Sequence, residues 1–532
     1  MIGYQCLENT LCWGPMARAA RLAAFGAEGG AGGPPEPPTL KELLAGTEVT
    51  ASRGDLKRRP ACLITDSRRV VPGALFFALG GLNTDGNLYT EEAIDRGAVG
   101  VVSENPPLGT RHVASVQVAD ARVALAGASR IFYGAPDEEL DIFAVTGTNG
   151  KTTVTTLLRY LLEEASMPAG LIGTVNYIVG KRTLPAFKTT PEAVETYAML
   201  RQMREAGCGA AVMEVSSHAI DQERVRGLSL RYGAFLNLTQ DHIDYHGTME
   251  AYYKVKRRLF TGETGAQLEA AAVNLDDYYG RRLIEEVGEH LRLLTFGISP
   301  DADVRAEGLD LRPEGARFTL VWPGGRAAVK SYLPGRYNVS NVLAALALVY
   351  LAGGDVAAAA GAVADFKAVP GRMERVDEGQ PFEVLVDYAH TDDALNNLLS
   401  NLRPVTEGRL LVVFGCGGNR DRAKRPRMTG AVQKWADYAW ATADNPRKEP
   451  LEQIFADMKE GVSDPARLRF VEDRRRAISL ALEEAKPGDR VVVAGKGHET
   501  YQEFGVTVLP FDDRLVAREL LRLKTLRVEE SK

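Results

Sequence analysis

Short apolar runs that stop abruptly at polar residues set the pattern of this chain from about residue 140 onward. Asp141-Ile142-Phe143-Ala144 runs into a glycine-bearing loop, Ala210 to Met213 into Glu214, Ala234 to Leu236 into Asn237 and then Asp241-His242, and Ala271 to Val273 into Asn274. Helix-like stretches such as Val154 to Ala165 separate them. Strands alternating with helices predict a parallel sheet. Pro323-Gly324-Gly325, between Phe318 to Trp322 and Ala327 to Leu333, predicts an added hairpin, and a long alanine-rich helix is expected to follow Asn338. From about Pro370-Gly371-Arg372 the pattern starts again. Glu383 to Val386 leads into Asp387-Tyr388-Ala389-His390, and Leu410 to Phe414 into Gly415-Cys416-Gly417-Gly418. Tyr438 to Ala441 leads into Asp444-Asn445-Pro446-Arg447, and Val491 to Ala494 into Gly495-Lys496-Gly497-His498-Glu499. Four apolar strands thus each deliver a polar loop to one sheet edge, where ligands of such sheets bind. Between about Thr39 and Pro136 the pattern is looser, with short strands, turns, a helix-like Thr90 to Arg96 and a strand at Val99 to Val102.

The loop Val145-Thr146-Gly147-Thr148-Asn149-Gly150-Lys151-Thr152-Thr153 carries the clearest chemistry. A strand, a glycine-bearing turn and a helix start present backbone N–H groups and a helix dipole to an anion. Lys151 adds a positive charge, and the Thr152 hydroxyl can hold Mg²⁺. The first glycine of the general phosphate-loop pattern is replaced by Val145. Glu214 ends a strand nearby and is placed to hold Mg²⁺; equally, Ser216 and Ser217 after it are good helix caps. Asp241-His242-Ile243-Asp244-Tyr245-His246 gathers acids and imidazoles. No further cluster completes a zinc set, phosphate favours Mg²⁺, and a loop capping a helix near Met249 is the plain alternative. The basic run Arg420 to Arg427 lacks interleaved aromatics and follows a glycine turn, which suits a carboxylate or phosphate pocket better than nucleic acid. Arg447, after Pro446, can serve the same anion.

Composition narrows the setting. The 532 residues allow three or four domains, and a net charge of −6 gives no global field for nucleic acid or membrane. The five cysteines are scattered, as suits a reducing cytoplasm, and no segment has the ~20 apolar residues needed to span a bilayer. Residues 1–38, with the Gly- and Pro-rich Gly26 to Pro38, read as a flexible extension without assigned function.

Together, Thr146 to Thr153, Glu214 to His218, Asn237 to His242, Asn338 to Asn341, Gly371 to Glu374, Asp387 to His390, Asp444 to Arg447 and Gly495 to Glu499 resemble, in order, the motifs of the Mur ligases of bacterial cell-wall synthesis. The likeness is strongest to the branch that extends UDP-N-acetylmuramoyl-L-alanyl-D-glutamate with a diamino acid. The resemblance implies an α/β chain of three domains. A smaller N-terminal α/β domain at 39–137 would bind the UDP part, a central P-loop ATPase domain with a parallel sheet would span 138–369, and a C-terminal Rossmann-like domain at 370–532 would bring the amino acid. It implies ATP-dependent amide formation through an acyl phosphate, in the cytoplasm, by a monomer.

Carried over by residue, the resemblance puts Gly147, Thr148, Asn149, Gly150, Lys151, Thr152, Thr153, Asn341, Arg372, Asp387 and His390 around ATP. Thr152 and Glu214 would hold one Mg²⁺, and His242 and Lys256 a second, with Lys256 rather than Lys254 carbamylated. Thr189, Thr190, Ser216, Gln222 and Arg224 would hold the muramoyl peptide, and Ser67, Asn83 and Thr84 the uracil end. Arg420, Asp444, Asn445, Arg447, Gly495 and Glu499 would hold the amino acid. Where the family usually reads Thr-Pro-Asp, this chain has Thr391-Asp392-Asp393. The Asp-Asn-Pro-Arg form accompanies meso-diaminopimelate in the family, and two arginines suit its second carboxylate. L-Lysine, LL-diaminopimelate or ornithine are the neighbouring alternatives. A P-loop kinase or nucleotide switch is the alternative of a different class, and a non-enzymatic nucleotide-binding scaffold is a third.

Overall fold

The computed structural model describes residues 36–81, 85–106, 113–266, 268–312, 315–366, 369 and 371–524, and the backbone of 525–530. Three separate sheets, of five, eleven and six strands, follow one another along the described chain, and a two-stranded ribbon is appended to the last. Of the expected 1–38 extension, residues 1–35 lie outside the described residues. Thr39 already caps the first helix, Leu40–Leu43, through a reciprocal capping box with Glu42.

The first sheet runs Val49–Arg53, Ala114–Val118, Gly100–Ser103, Ala74–Ala78, Cys62–Ile64, with only the first strand antiparallel. The helix Ala121–Tyr133 covers it, capped by Asp120 and stopped by left-handed Gly134. The loose pattern reading passed over this helix, although its buried Ala121, Ala124, Leu125 and Ala128 stand at helical spacing.

In the eleven-stranded sheet, Ala169–Ile172, Ala210–Glu214, Asp141–Thr146, Tyr232–Phe235, Ala270–Asn274, Arg292–Gly297 and Val304–Arg312 are parallel neighbours. Antiparallel wings extend both sides, and one of them is the expected hairpin, Gly315–Trp322 with Gly325–Ser331. Helix Arg336–Leu351 begins three residues earlier than expected, so Asn338 and Asn341 lie on its first turns. Its apolar residues ring the whole helix because it is sandwiched in the core with helix Lys151–Glu164 and the sheet.

In the six-stranded sheet the four strands with polar loops are contiguous and parallel: Glu383–Asp387, Arg490–Ala494, Leu410–Cys416 and Tyr438–Ala443. Their loops therefore emerge side by side. Behind them, fully buried Arg474 pairs with fully buried Asp513 at 2.7 Å. The same guanidinium donates to the carbonyls of Ala443 and Ala494, the ends of two of those strands. Asp513 opens the last helix, Asp513–Glu530, so that helix is tied to the loop-bearing edge.

Removing one partner of such a pair leaves an uncompensated buried charge. Asp513→Ala is expected to destabilise the protein by about 3–5 kcal/mol, read from the urea midpoint of its C-terminal unfolding transition; a change under about 1 kcal/mol, the scale of an exposed pair, would contradict the assigned role.

Candidate active site

Strand Asp141–Thr146 ends in the glycine-bearing loop, and helix Lys151–Glu164 begins directly after Gly150, which has φ 91°. Glycine is required there: a Cβ would lie 2.3 Å from Oδ1 of Asn341. The loop is braced from the neighbouring strand. Thr148 N donates to Asn237 O (3.0 Å), Asn149 N to Asn237 Oδ1 (2.9 Å), and Asn237 Nδ2 returns to Asn149 O (3.0 Å). Thr152 and Thr153 are buried on the first turn.

Lys151 Nζ donates to the carbonyls of Gly147 and Thr148, both at 2.9 Å. Lys256 Nζ donates to Thr146 Oγ1 (3.1 Å) and to the same Gly147 carbonyl (3.2 Å). Lys256, on helix Met249–Arg257, is 1% exposed, whereas Lys254 is on the outside. Burial, and then the neighbouring Lys151 charge, push the Lys256 amine well below the usual lysine range. Burial also lowers Lys151, opposed by Glu214.

Glu214 is 1% exposed and accepts from Thr174 N (2.8 Å) and Thr174 Oγ1 (2.9 Å). Ser216 is indeed a helix cap, accepting from Ala219 N, so the capping and site readings describe different residues of one motif. His242 stands with its ring edge-on to His218 at 4.8 Å and its Nε2 3.4 Å from Asp241. Helix Met249–Arg257 is capped by Thr248 rather than by the acid- and histidine-rich loop. Among the described residues no group of three or more His, Cys, Asp or Glu side chains could hold a metal by itself. A Mg²⁺ here would need hydroxyl, phosphate and water oxygens, which is the set Mg²⁺ prefers.

The peptide candidates form one cluster beside Glu214. Thr190 Oγ1 donates to Glu214 O (2.8 Å) and accepts from Ser216 N (3.1 Å). Arg224 donates to Thr190 O (2.9 Å) and Gln222 Oε1 (2.6 Å) and pairs with Glu192 (3.0 Å). Thr189 Oγ1 is 3.1 Å from Thr174 Oγ1. Thr174 and Glu192 belong to this network and were not singled out by sequence; no motif marks them. Ser67 lies in the first sheet's unit, donating to Glu92 (2.9 Å), with no hydrogen bond to this cluster. Asn83 and Thr84 lie outside the described residues.

From the third sheet's unit, Arg372 reaches Thr152 Oγ1 (3.4 Å) and stacks on Tyr388 (4.6 Å). Asp393 accepts from Asn149 Nδ2 and Thr239 Oγ1, both 2.9 Å. Asp387 is buried and accepts from Met373 N (2.7 Å) and Ala389 N (2.8 Å), shaping the loop that carries Arg372; burial raises its carboxyl despite Arg372. His390 Nδ1 meets Tyr388 O at 2.9 Å, and burial lowers its ring to about 4. Between these units a cleft of about 660 Å³ is lined by Asp276, Arg281, Ser299, Arg336, Tyr337 and Asn401, among others. It adjoins the helix whose Asn341 touches Gly150.

The amino-acid candidates also meet. Asn445, 1% exposed, donates to Glu499 (2.9 Å) and accepts from Lys496 Nζ (3.1 Å), which also pairs with Glu499 (2.7 Å). Burial pushes Asp444 up, but Lys496 and Arg474 outweigh it and hold the carboxyl below its usual range. Its Oδ2 is buried without a partner. Gly495, φ 116°, allows that approach, since a Cβ would lie 2.8 Å from Oδ2. Burial and Asp444 raise Glu499. Arg420 and Arg447 flank Gly417, whose Cβ would lie 3.7 Å from Arg420 Cγ and 3.1 Å from Arg447 Nη1. The rest of the basic run does not join them. Arg425 is buried between Glu449 and Asp457, Arg422 pairs with Asp457, and Arg427 with Asp392. Among the described residues Arg420 alone of the run's arginines has no ion pair, a correction to reading the run as one anion site.

Comparisons with known proteins cover the same span. Sequence models described as Mur ligase family, catalytic domain; Mur ligase middle domain; and Mur ligase, glutamate ligase domain match residues 61–133, 145–349 and 371–497. A UDP-N-acetylmuramoyl-L-alanyl-D-glutamate--2,6-diaminopimelate ligase of Solibacter usitatus is 44% identical over 90% of this chain and 94% of its own. Its namesake from Geobacillus thermodenitrificans is 44% identical over 86% and 94%. A solved structure with the same ligase name is 35% identical, with a TM-score of 0.65 over 92% of this chain and 99% of its own. The MurF ligase of Thermotoga maritima in complex with ADP, 17% identical, shares the fold with a TM-score of 0.59 over 88% and 98%. The chain belongs to the Mur ligase family.

Proposed function

We propose that the protein is an ATP-dependent amide-forming ligase that joins meso-diaminopimelate to UDP-N-acetylmuramoyl-L-alanyl-D-glutamate, in the cytoplasm and as a monomer. What supports the amino-acid choice is the pairing of opposite charges on neighbouring loops: Arg420 and Arg447 beside Gly417, and Asp444 and Glu499 on the loops that meet through Asn445. A diamino acid with a second carboxylate matches both charges, whereas lysine leaves one guanidinium without its anion. The names of the relatives support the same substrate.

A carboxylate is a poor electrophile, so the D-glutamyl γ-carboxylate is first phosphorylated by ATP to an acyl phosphate. The free amine of the diamino acid attacks its carbonyl carbon, and phosphate leaves from the tetrahedral adduct as the amide forms. The protein's part is positioning and charge neutralisation. The loop from Gly147 to Gly150, with Lys151 and Thr153, cradles the phosphates. The cleft by Arg336 and Tyr337 takes the nucleoside, with Asn341, Asp387 and His390 shaping its edge. Arg372, beside Thr152, adds charge on the phosphate side. Thr189, Thr190, Ser216, Gln222 and Arg224 hold the peptide, and the Ser67, Asn83 and Thr84 region the uracil end. Asn445 and Gly495 orient the amino acid.

The donor set fits Mg²⁺ once the phosphates are present. Thr152 and Glu214 would hold one ion and His242 a second, with Lys256 if its amine is carbamylated. Such ions supply charge neutralisation on the phosphoryl oxygens. The buried Lys256 is suited to that modification, because burial and the Lys151 charge favour the uncharged amine, the form that adds CO₂, and an anion there would offset Lys151.

Phosphate release should require ATP, the UDP-muramoyl dipeptide and diaminopimelate together; release from ATP and dipeptide alone at the full rate would point to a kinase or switch. Lys151→Ala should abolish release. Arg447→Ala should cost about 2–4 kcal/mol in kcat/KM for diaminopimelate, the scale of a lost charge partner, and an unchanged value in that variant would remove the substrate assignment. With ¹³C-bicarbonate the native protein should show a carbamate carbon resonance that Lys256→Gln lacks; identical spectra would remove the modification.

A further inference from the structure

Arg447 does not wait for its ligand with a bare guanidinium. Its Nη1 donates to Gly418 O (3.0 Å) and its Nε lies 3.1 Å from Oε2 of Glu503. Arg420, on the other side of Gly417, has no hydrogen bond or ion pair among the described residues. Glu503 belongs to strand Tyr501–Phe504 of the two-stranded ribbon, beyond the loop that ends in Glu499. The ribbon's backbone fixes where Arg447 is. Arg447 N donates to Glu503 O (2.9 Å), Gly505 N to Arg447 O (2.6 Å), and Glu503 N to Asn445 Oδ1 (3.0 Å). Arg447 has φ 55°, a left-handed conformation that a non-glycine residue keeps only where its surroundings impose it. Backbone bonds impose it here, so the Glu503 carboxylate governs only the guanidinium.

We propose that Glu503 is a placeholder for the substrate's carboxylate: it pairs with Arg447 and yields that guanidinium to diaminopimelate on binding. The proposal rests on the diaminopimelate reading given above. Charge supports it. Asp444, Glu499 and Glu503 balance Lys496, Arg420 and Arg447. Diaminopimelate with one amine free to attack carries two carboxylates and one ammonium, a net negative charge. Once Glu503 withdraws to solvent, the remaining groups have one positive charge in excess, which matches. The exchange is cheap because the pair is half open to water, with side chains 23% and 33% exposed. L-Lysine brings no second carboxylate, so with lysine bound Glu503 stays on Arg447 and softens the penalty against the wrong substrate. Glu503 therefore lowers affinity for the right amino acid and blunts selectivity, while keeping two adjacent guanidiniums from collecting other anions. It acts through Arg447 as a positioning residue.

The test is Glu503→Gln, which preserves shape and every backbone bond, with Glu503→Thr as a second variant suited to a strand. KM for diaminopimelate should fall about two- to five-fold, the worth of one exposed pair, with kcat and the KM values for ATP and the UDP-muramoyl dipeptide unchanged. KM for lysine should not fall, and inhibition by inorganic phosphate competing with diaminopimelate should strengthen. A KM for diaminopimelate that rises would mean that Glu503 binds substrate or holds Arg447 ready for it. That result, or an unchanged KM in both variants, overturns the proposal. Wild-type protein assayed in parallel separates the two claims: if it fails to ligate diaminopimelate, the substrate reading is lost, and if it succeeds while the variants show no gain, only the placeholder is lost.

Discussion

Two lysine side chains donate to one carbonyl oxygen, that of Gly147, from opposite sides of the phosphate loop. Lys256 is fully buried and Lys151 partly so, and the repulsion between them adds to the cost of burying Lys256, whose amine is lowered well below the usual lysine range. That arrangement makes sense only around anions. Around the loop stand Glu214 from the adjacent strand, the N–H groups at the start of helix Lys151–Glu164, and Asn341, packed so closely on Gly150 that no side chain fits there.

The third sheet's unit is joined to that loop by few but directional contacts. Asp393 touches Asn149 and Thr239 at once, and Arg372 reaches Thr152. Asp392 stands where the Thr-Asp-Asp sequence departs from the family's usual Thr-Pro-Asp, and Asp393, the acid that bridges the two units, is retained. Thr391 caps the helix that begins at Asp392, accepting from Ala394 N, and that first helical position takes proline and aspartate alike. The glycine-bearing loop and the third sheet's unit are thus joined through the Asp393 carboxylate and the Arg372 guanidinium.

Much of this was legible in the chain because strand ends are marked by abrupt changes of polarity. The four loops after residue 370 were readable as one edge, and their strands are indeed neighbours. The choice of Lys256 over Lys254 was readable only through a resemblance, and burial gives it a physical basis. What sequence did not disclose lies in pairings between distant positions. The arginines at 422, 425 and 427 looked like ligands for a substrate, but their anions are Asp457, Glu449 and Asp392. Thr174, Glu192, Arg474 and Glu503 carry no motif, since each matters only for what the fold sets against it. The start of helix Arg336–Leu351 was missed because Gly335 and Arg336 bear no capping signal.

The Arg474–Asp513 pair has a consequence for how the molecule is made. Arg474 secures the ends of two strands that carry the amino-acid loops, and its partner is the first residue of the last helix. During synthesis the emerging polypeptide passes through the ribosomal tunnel from the first residue toward the last, and earlier units fold first. The phosphate loop can therefore take shape while the amino-acid pocket still lacks the anion that steadies its floor. Nucleotide affinity would be acquired before the capacity to join two substrates, and a nascent chain stalled ahead of Asp513 would hold ATP without a finished place to spend it.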